Sequence, residues 1–132
     1  MDLFKELTRS LNPDWTHVTR HVDEGENPRQ YAAFRERPSY RLTLAAERDL
    51  EMIWTQTCQQ WGIEQANRYI DSLTVNFAEL AQSPKIAPAC DYIRRGYRRR
   101  SVERHMIYFR ITAYGIAVVR ILHDRMDAQR HL

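Results

Sequence analysis

The chain has 132 residues, 43% of them hydrophobic, and a formal net charge of +3, a size that suits one domain around one modest core. No apolar run approaches the roughly 20 residues that span a bilayer, and the opening MDLFKELTRS lacks the apolar stretch of a secretory signal. The only cysteines, Cys58 and Cys90, are not in a metal-like spacing. Reduced thiols in a cytoplasmic protein are therefore expected, with a single disulfide as the alternative.

The charge is unevenly placed. Residues 1–38 carry six basic and seven acidic side chains, residues 39–93 four and seven, and residues 94–132 ten and three. The last segment is thus +7 on its own, and almost all of it is arginine, since Lys5 and Lys85 are the only lysines. Guanidinium groups are planar, weakly hydrated and able to grip carboxylates or phosphates with two parallel hydrogen bonds. A surface made of them points to an acidic partner.

Taken in chain order, residues 1–38 read as an N-terminal extension without a core of its own. Leu3, Phe4, Leu7 and Leu11 would share one side of about two helical turns, which Asn12-Pro13 stop. Trp15, Tyr31 and Phe34 are the side chains that would tie this segment to the domain over residues 39–132. Tyr40 to Leu44 alternates as a strand, and Thr43 is placed to cap a helix. From Ala46 the positions Leu50, Ile53, Trp54, Thr57, Cys58 and Trp61 recur at helical spacing until Gly62 stops them. A second helix follows, with Ala66, Tyr69, Ile70, Leu73, Phe77, Leu80 and Ala81 on one side. So little loop separates the two that they must form a hairpin, and Trp54, Trp61 and Tyr69 are expected in the core. After a proline-marked loop, three strands are predicted near 97–102, 105–111 and 116–123, joined by hairpin-length turns. The fold class is α+β: a β-α-α-β-β-β order in which a helical hairpin packs on a small antiparallel sheet.

The segments YRLTLAAERDLEMIW, WGIEQANRYIDSL, CDYIRRGYRR, HMIYFRI and VVRILHDRMDAQRHL, in that order, resemble the ParE branch of the ParE/RelE toxin superfamily. The resemblance runs from about Tyr40 to Leu132, and residues 1–38 match nothing in the family pattern. Arg100 departs from it, standing where relatives place an aromatic or other apolar residue. The resemblance implies a RelE/ParE-like fold and a type II toxin that inhibits DNA gyrase. It also implies neutralisation by a cognate, ParD-like antitoxin with an acidic, disordered C-terminal segment that folds on the toxin. In RelE-type relatives the same scaffold is a ribosome-dependent messenger-RNA endoribonuclease, and that is the alternative activity.

The residues themselves favour binding over turnover. Phosphodiester cleavage needs a base, a donor to the leaving oxygen and cations for the developing charge. Here Met106 stands near where an arginine would be wanted, and the lysines such nucleases use are missing. His123 is the best single acid–base candidate, though a structural role for a histidine at a strand end is the commoner one; His105 reads as structural. No phosphate loop, nucleophile elbow or metal-ligand set is visible, so no cofactor or metal is expected. Direct nucleic-acid binding is not expected either. Arg94, Arg95, Arg98, Arg99 and Arg100 form the densest basic run, and alternation sends Arg98 and Arg100 to one face and Arg99 to the other. Arg120 interrupts an apolar strand, so it either pairs with an acid or points into a groove. Arg98, Arg99, Arg100, Arg120, Arg125 and Arg130 are the candidate partner-binding residues, the last two on the tail.

Removing residues 1–37 is expected to leave a cooperative thermal transition and antitoxin binding intact. Loss of either would show that the segment is integral to the domain.

Overall fold

The computed structural model describes residues 38–132. The helical turns expected around Leu3 to Leu11, and the anchors Trp15, Tyr31 and Phe34, lie outside the described residues. From Ser39 onward the predicted order is present. Strand β1 (Ser39–Leu42) leads into helices α1 (Leu44–Trp61) and α2 (Ile63–Gln82), then a single 3-10 turn, Pro84–Ile86. Strands β2 (Tyr97–Val102), β3 (His105–Thr112) and β4 (Gly115–His123) follow, and a one-turn helix α3 (Ala128–His131) ends the chain.

Thr43 caps α1 as expected, its Oγ1 accepting from the Ala46 N–H at 3.1 Å. The same hydroxyl donates to the Val119 carbonyl at 2.7 Å, so the cap also moors the helix start to β4. Gly62, at φ +92°, ends α1 by donating its N–H to the Cys58 carbonyl at 2.9 Å. Inside the helical hairpin the indole N–H of buried Trp54 donates to Asn67 Oδ1 at 3.0 Å. Trp61 departs from expectation: it is 66% exposed. It is the last residue of α1, beside the glycine turn, so its place in the stripe carries it to the hairpin tip rather than over the sheet.

The sheet order is β1-β4-β3-β2. β2, β3 and β4 are antiparallel neighbours, but β1 pairs with β4 in parallel, so the sheet is mixed rather than wholly antiparallel. Two hairpins oblige β4 to run in the same sense as β2. The helical pair then acts as the crossover that lets β1 lie alongside β4 in the same direction. One face of the sheet packs on the helices: Tyr40, Leu42, Ile107, Phe109, Ile116 and Val118 meet Leu50, Leu73, Phe77 and Leu80. The opposite face carries a second, smaller cluster of Cys90, Tyr108 and Leu122, flanked by Ile93, Tyr97, Met106, Ala128 and Leu132. The loop before β2 and the chain end therefore both fold onto the face away from the helices.

At the β1–β4 junction Gly115, at φ +138°, sits across from Ser39, and a Cβ there would strike the Ser39 backbone carbonyl. Only glycine accepts both the backbone angle and the approach. Gly115→Ala should lower the stability measured by urea unfolding by about 2 kcal/mol or more; an unchanged midpoint would mean that β1 does not lie this close.

Candidate functional site

The face opposite the helices is where the basic half of the sequence meets the apolar half. Reading the register across the strands, Arg41, Ala117, Arg110 and Tyr97 form one rung of that face. The next outward rung is Arg120, Tyr108 and Arg99. Strict alternation would put Arg120 on the core side with Val118. A bulge prevents this, because Phe109 pairs with Val118 while Tyr108 pairs with Arg120, leaving Val119 as the extra residue. The slip turns Arg120 outward and brings Ile121 into the core in its place.

Beyond Val118 the four-residue β1 no longer flanks β4. The start of α1 takes over that edge. Asp49 accepts the Ile121 backbone N–H at 2.9 Å, and also takes two hydrogen bonds from Arg120, from Nε at 2.7 Å and from Nη2 at 2.9 Å. The two side chains are only 21% and 11% exposed. The Asp49 hydrogen bonds hold the Arg120 pKa above its ordinary value. Arg120 Nη1 then donates to the His131 carbonyl at 3.0 Å, tying the chain end to the sheet. Of the two roles left open for Arg120, pairing with an acid is the one found.

The remaining candidates divide by what their guanidinium groups touch. Arg98 and Arg100 face the helix layer, as alternation predicts. Arg98 Nη1 donates to the Ala87 carbonyl at 2.6 Å, and Arg100 lies 3.3 Å from Glu79 of α2. Arg99 points the other way, its guanidinium carbon 5.5 Å from the Tyr92 ring centroid. Arg94 stacks likewise on Tyr97 at 5.5 Å and Arg41 on Tyr114 at 4.7 Å. Arg125 is exposed on the tail, and Arg130 pairs at 3.5 Å with Asp127 three residues before it. The six predicted arginines thus do not form one cluster. Arg41 and Arg110 escaped sequence reasoning because their shared rung exists only through pairings remote along the chain. The weak signal for Arg110 was its parity with Tyr108 on one strand.

A second group of polar side chains collects at the far end of β3 and β4. His105 and His123 are cross-strand partners with ring centroids 5.4 Å apart, edge to face. His105 Nδ1 is 2.6 Å from the Tyr69 hydroxyl of α2, which also donates to the Val102 carbonyl at 3.3 Å. Both contacts are satisfied when neutral His105 donates from Nδ1 to the hydroxyl oxygen and the hydroxyl proton goes to Val102. Burial, with the His123 ring beside it, pulls the His105 pKa down to about 4. Burial, reinforced by the Glu103 charge, pushes Tyr69 up to about 12. His123 is itself within 3.0 Å of Asp124. His105, expected to be structural, is half-buried and sits between Tyr69 and His123. Among the described residues no set of three His, Cys, Asp or Glu is arranged to hold a metal ion, and no helix is long and apolar enough to cross a membrane.

The sequence model of the family described as "ParE toxin of type II toxin-antitoxin system, parDE" matches residues 40–128. Toxin ParE1 of Mycobacterium tuberculosis is 45% identical over 94 residues, which is 70% of this chain and 96% of that protein. Toxin ParE1 of Caulobacter vibrioides is 36% identical over 93 residues, again 70% and 96% of the two chains. Toxin ParE of Escherichia coli is 35% identical over 95 residues, 71% and 92%. A solved structure described as the chromosomal ParDE TA system from P. aeruginosa superposes with a TM-score of 0.58, covering 65% of this chain and 95% of that one. At 22% identity, this likeness shows the fold.

The His105 environment sets a pH dependence. Its pKa in the folded chain, about 4, lies below the ordinary histidine value of 6.5, so the unfolded chain binds the proton more readily. The stability is fully present above about pH 6.5 and falls as the pH drops toward 4, by on the order of 2 kcal/mol in total. Urea unfolding at pH 7 and pH 4.5 should show this decline in the wild type and a shallower one in His105→Gln. Equal declines would remove His105 as the cause.

Proposed function

The chain belongs to the ParE toxin family of type II toxin–antitoxin systems, and from that premise we propose that it inhibits DNA gyrase by binding and is neutralised by a cognate antitoxin. The observation that carries this reading is the nearly full-length match to proteins named as ParE toxins. It is supported by the arginines and tyrosines that share the sheet face away from the helices, Arg41, Arg99, Arg110, Tyr97 and Tyr108. The domain responsible is residues 39–132, which contains the family match over residues 40–128, with residues 1–38 as an extension; the site of action is the cytoplasm.

The contact of Tyr69, His105 and His123 is the one observation that favours the rival, messenger-RNA cleavage. Three features weigh against it. His105 Nδ1 and the Tyr69 hydroxyl are engaged with each other. A phenol held near pKa 12 is a poor proton source at neutral pH. Arg100 is paired with Glu79 and Arg120 with Asp49, so neither of these two is free to stabilise a phosphorane.

The purified chain should inhibit gyrase supercoiling and leave messenger RNA intact in a translation extract, and its induction should arrest growth unless the antitoxin is co-expressed. Cleaved messenger RNA with normal supercoiling would reverse the assignment, and unimpaired growth would remove the toxin reading itself.

A further inference from the structure

Five arginines of this domain fall into two physical classes. Arg98 and Arg120 donate N–H groups to acceptors of the chain itself, the Ala87 carbonyl and Asp49, and Arg100 forms an ion pair with Glu79. Arg94 and Arg99 instead lie over tyrosine rings, Tyr97 and Tyr92. A guanidinium stacked on a ring is held in one plane, yet its donors point out sideways, away from the ring. Such a group is already oriented for a bidentate anion and loses little freedom on meeting one.

These stacked pairs are contiguous. Tyr97 and Arg99 are two residues apart on the outward side of β2, and Arg110 is the cross-strand partner of Tyr97. The loop over residues 90–96 brings Tyr92 and Arg94 onto the same side. Its shape is fixed from within: the Cys90 N–H donates to the Tyr97 carbonyl at 2.8 Å, and the Arg94 N–H to the Cys90 carbonyl at 3.1 Å. Asp91, the one acid of the loop, accepts the Gly96 N–H at 2.8 Å, at a residue with φ +84°. Cys90 is wholly buried beneath. The result is a fixed cationic ledge along the β2 edge.

We propose that this ledge, formed by Arg94, Arg99 and Arg110 with Tyr92 and Tyr97, is a docking site for the carboxylates of an extended acidic peptide, and that the antitoxin supplies that peptide. The second part rests on the function proposed above. Charge complementarity sets the sign of the partner, and the rings decide between peptide and nucleic acid. Single-stranded nucleic acid needs open aromatic faces for successive bases. Tyr97 packs against the small core and carries Arg94, which leaves only Tyr92, at 65% exposure, with a ring face to offer. Carboxylates need only the guanidinium edges.

The full chain is titrated in about 0.15 M salt with a fluorescein-labelled peptide of alternating glutamate and serine, and separately with labelled oligothymidylate. The double variant Arg94→Gln/Arg99→Gln should weaken peptide binding roughly tenfold. Arg125→Gln/Arg130→Gln, with the same change of charge on the tail, should weaken it by less than about twofold. No peptide binding by the wild type, equal losses in both variants, or tighter binding of the oligonucleotide through the same arginines would each overturn the proposal. Growth rescue by co-expressed antitoxin separates the two readings. Rescue of Arg94→Gln/Arg99→Gln as complete as that of the wild type removes the antitoxin from this ledge while leaving the proposed function standing. Failure to rescue the wild type removes the antitoxin reading and leaves the peptide result to stand alone.

Discussion

One side-chain carboxylate completes the sheet of this domain. Strand β1 is too short to flank β4 along its whole length, and Asp49 occupies the edge where β1 stops, accepting the Ile121 N–H and both forks of Arg120. The bulge at Val119 makes this geometry possible, by turning Arg120 out of the core and Ile121 into it. Thr43 holds the neighbouring point, joining the α1 cap to the Val119 carbonyl. Arg120 then passes the connection to the chain end through the His131 carbonyl. Helix start, bulge, strand edge and C-terminus therefore meet at a single ion pair. Removing one partner of a well-buried pair costs about 3–5 kcal/mol, because the other charge is left stranded; the partial exposure here argues for the lower end of that range.

That junction also decides which charges remain for a partner. Each arginine anchored internally stabilises the domain and ceases to be an adaptable contact. Arg94 and Arg99 instead lie over the Tyr97 and Tyr92 rings. Placing them on the face away from the helices requires that this face not be bare, and the second small core supplies the floor. Cys90, Tyr108 and Leu122 carry the loop before β2, while Ala128 and Leu132 bring the chain end onto the same side. Burial beneath this roof raises the Cys90 pKa above its ordinary value, which suits a packing thiol rather than a reactive one.

Much of this was legible in the residues. The recurrence from Ala46 through Trp54 and from Ala66 through Ala81 located both helices, Gly62 marked their turn, and Thr43 declared the cap. The parity of Arg98, Arg99 and Arg100 gave their faces correctly, since alternation is a local property of a strand. What was hidden depends on partners far along the chain. Nothing near Tyr40 states whether β1 runs with β4 or against it. The bulge at Val119 leaves only a faint trace, an arginine where an apolar residue fits the pattern. Asp49 reads locally as a charge favoured by the helix dipole, and its acceptor role depends on a residue 72 positions away. The Tyr69 contact with His105 is likewise a product of packing, and Trp61 satisfies the helical pattern while lying past the end of the surface it would cover.

The division between arginines anchored within the chain and those proposed to meet a partner is the claim on which the account of this surface turns. It is tested most directly by comparing urea unfolding of Arg120→Gln and Arg99→Gln, two variants that lose the same charge. Arg120→Gln should lose about 3 kcal/mol of stability, whereas Arg99→Gln should stay within about 0.5 kcal/mol of the wild type. Equal losses, or a larger loss at Arg99, would contradict the account.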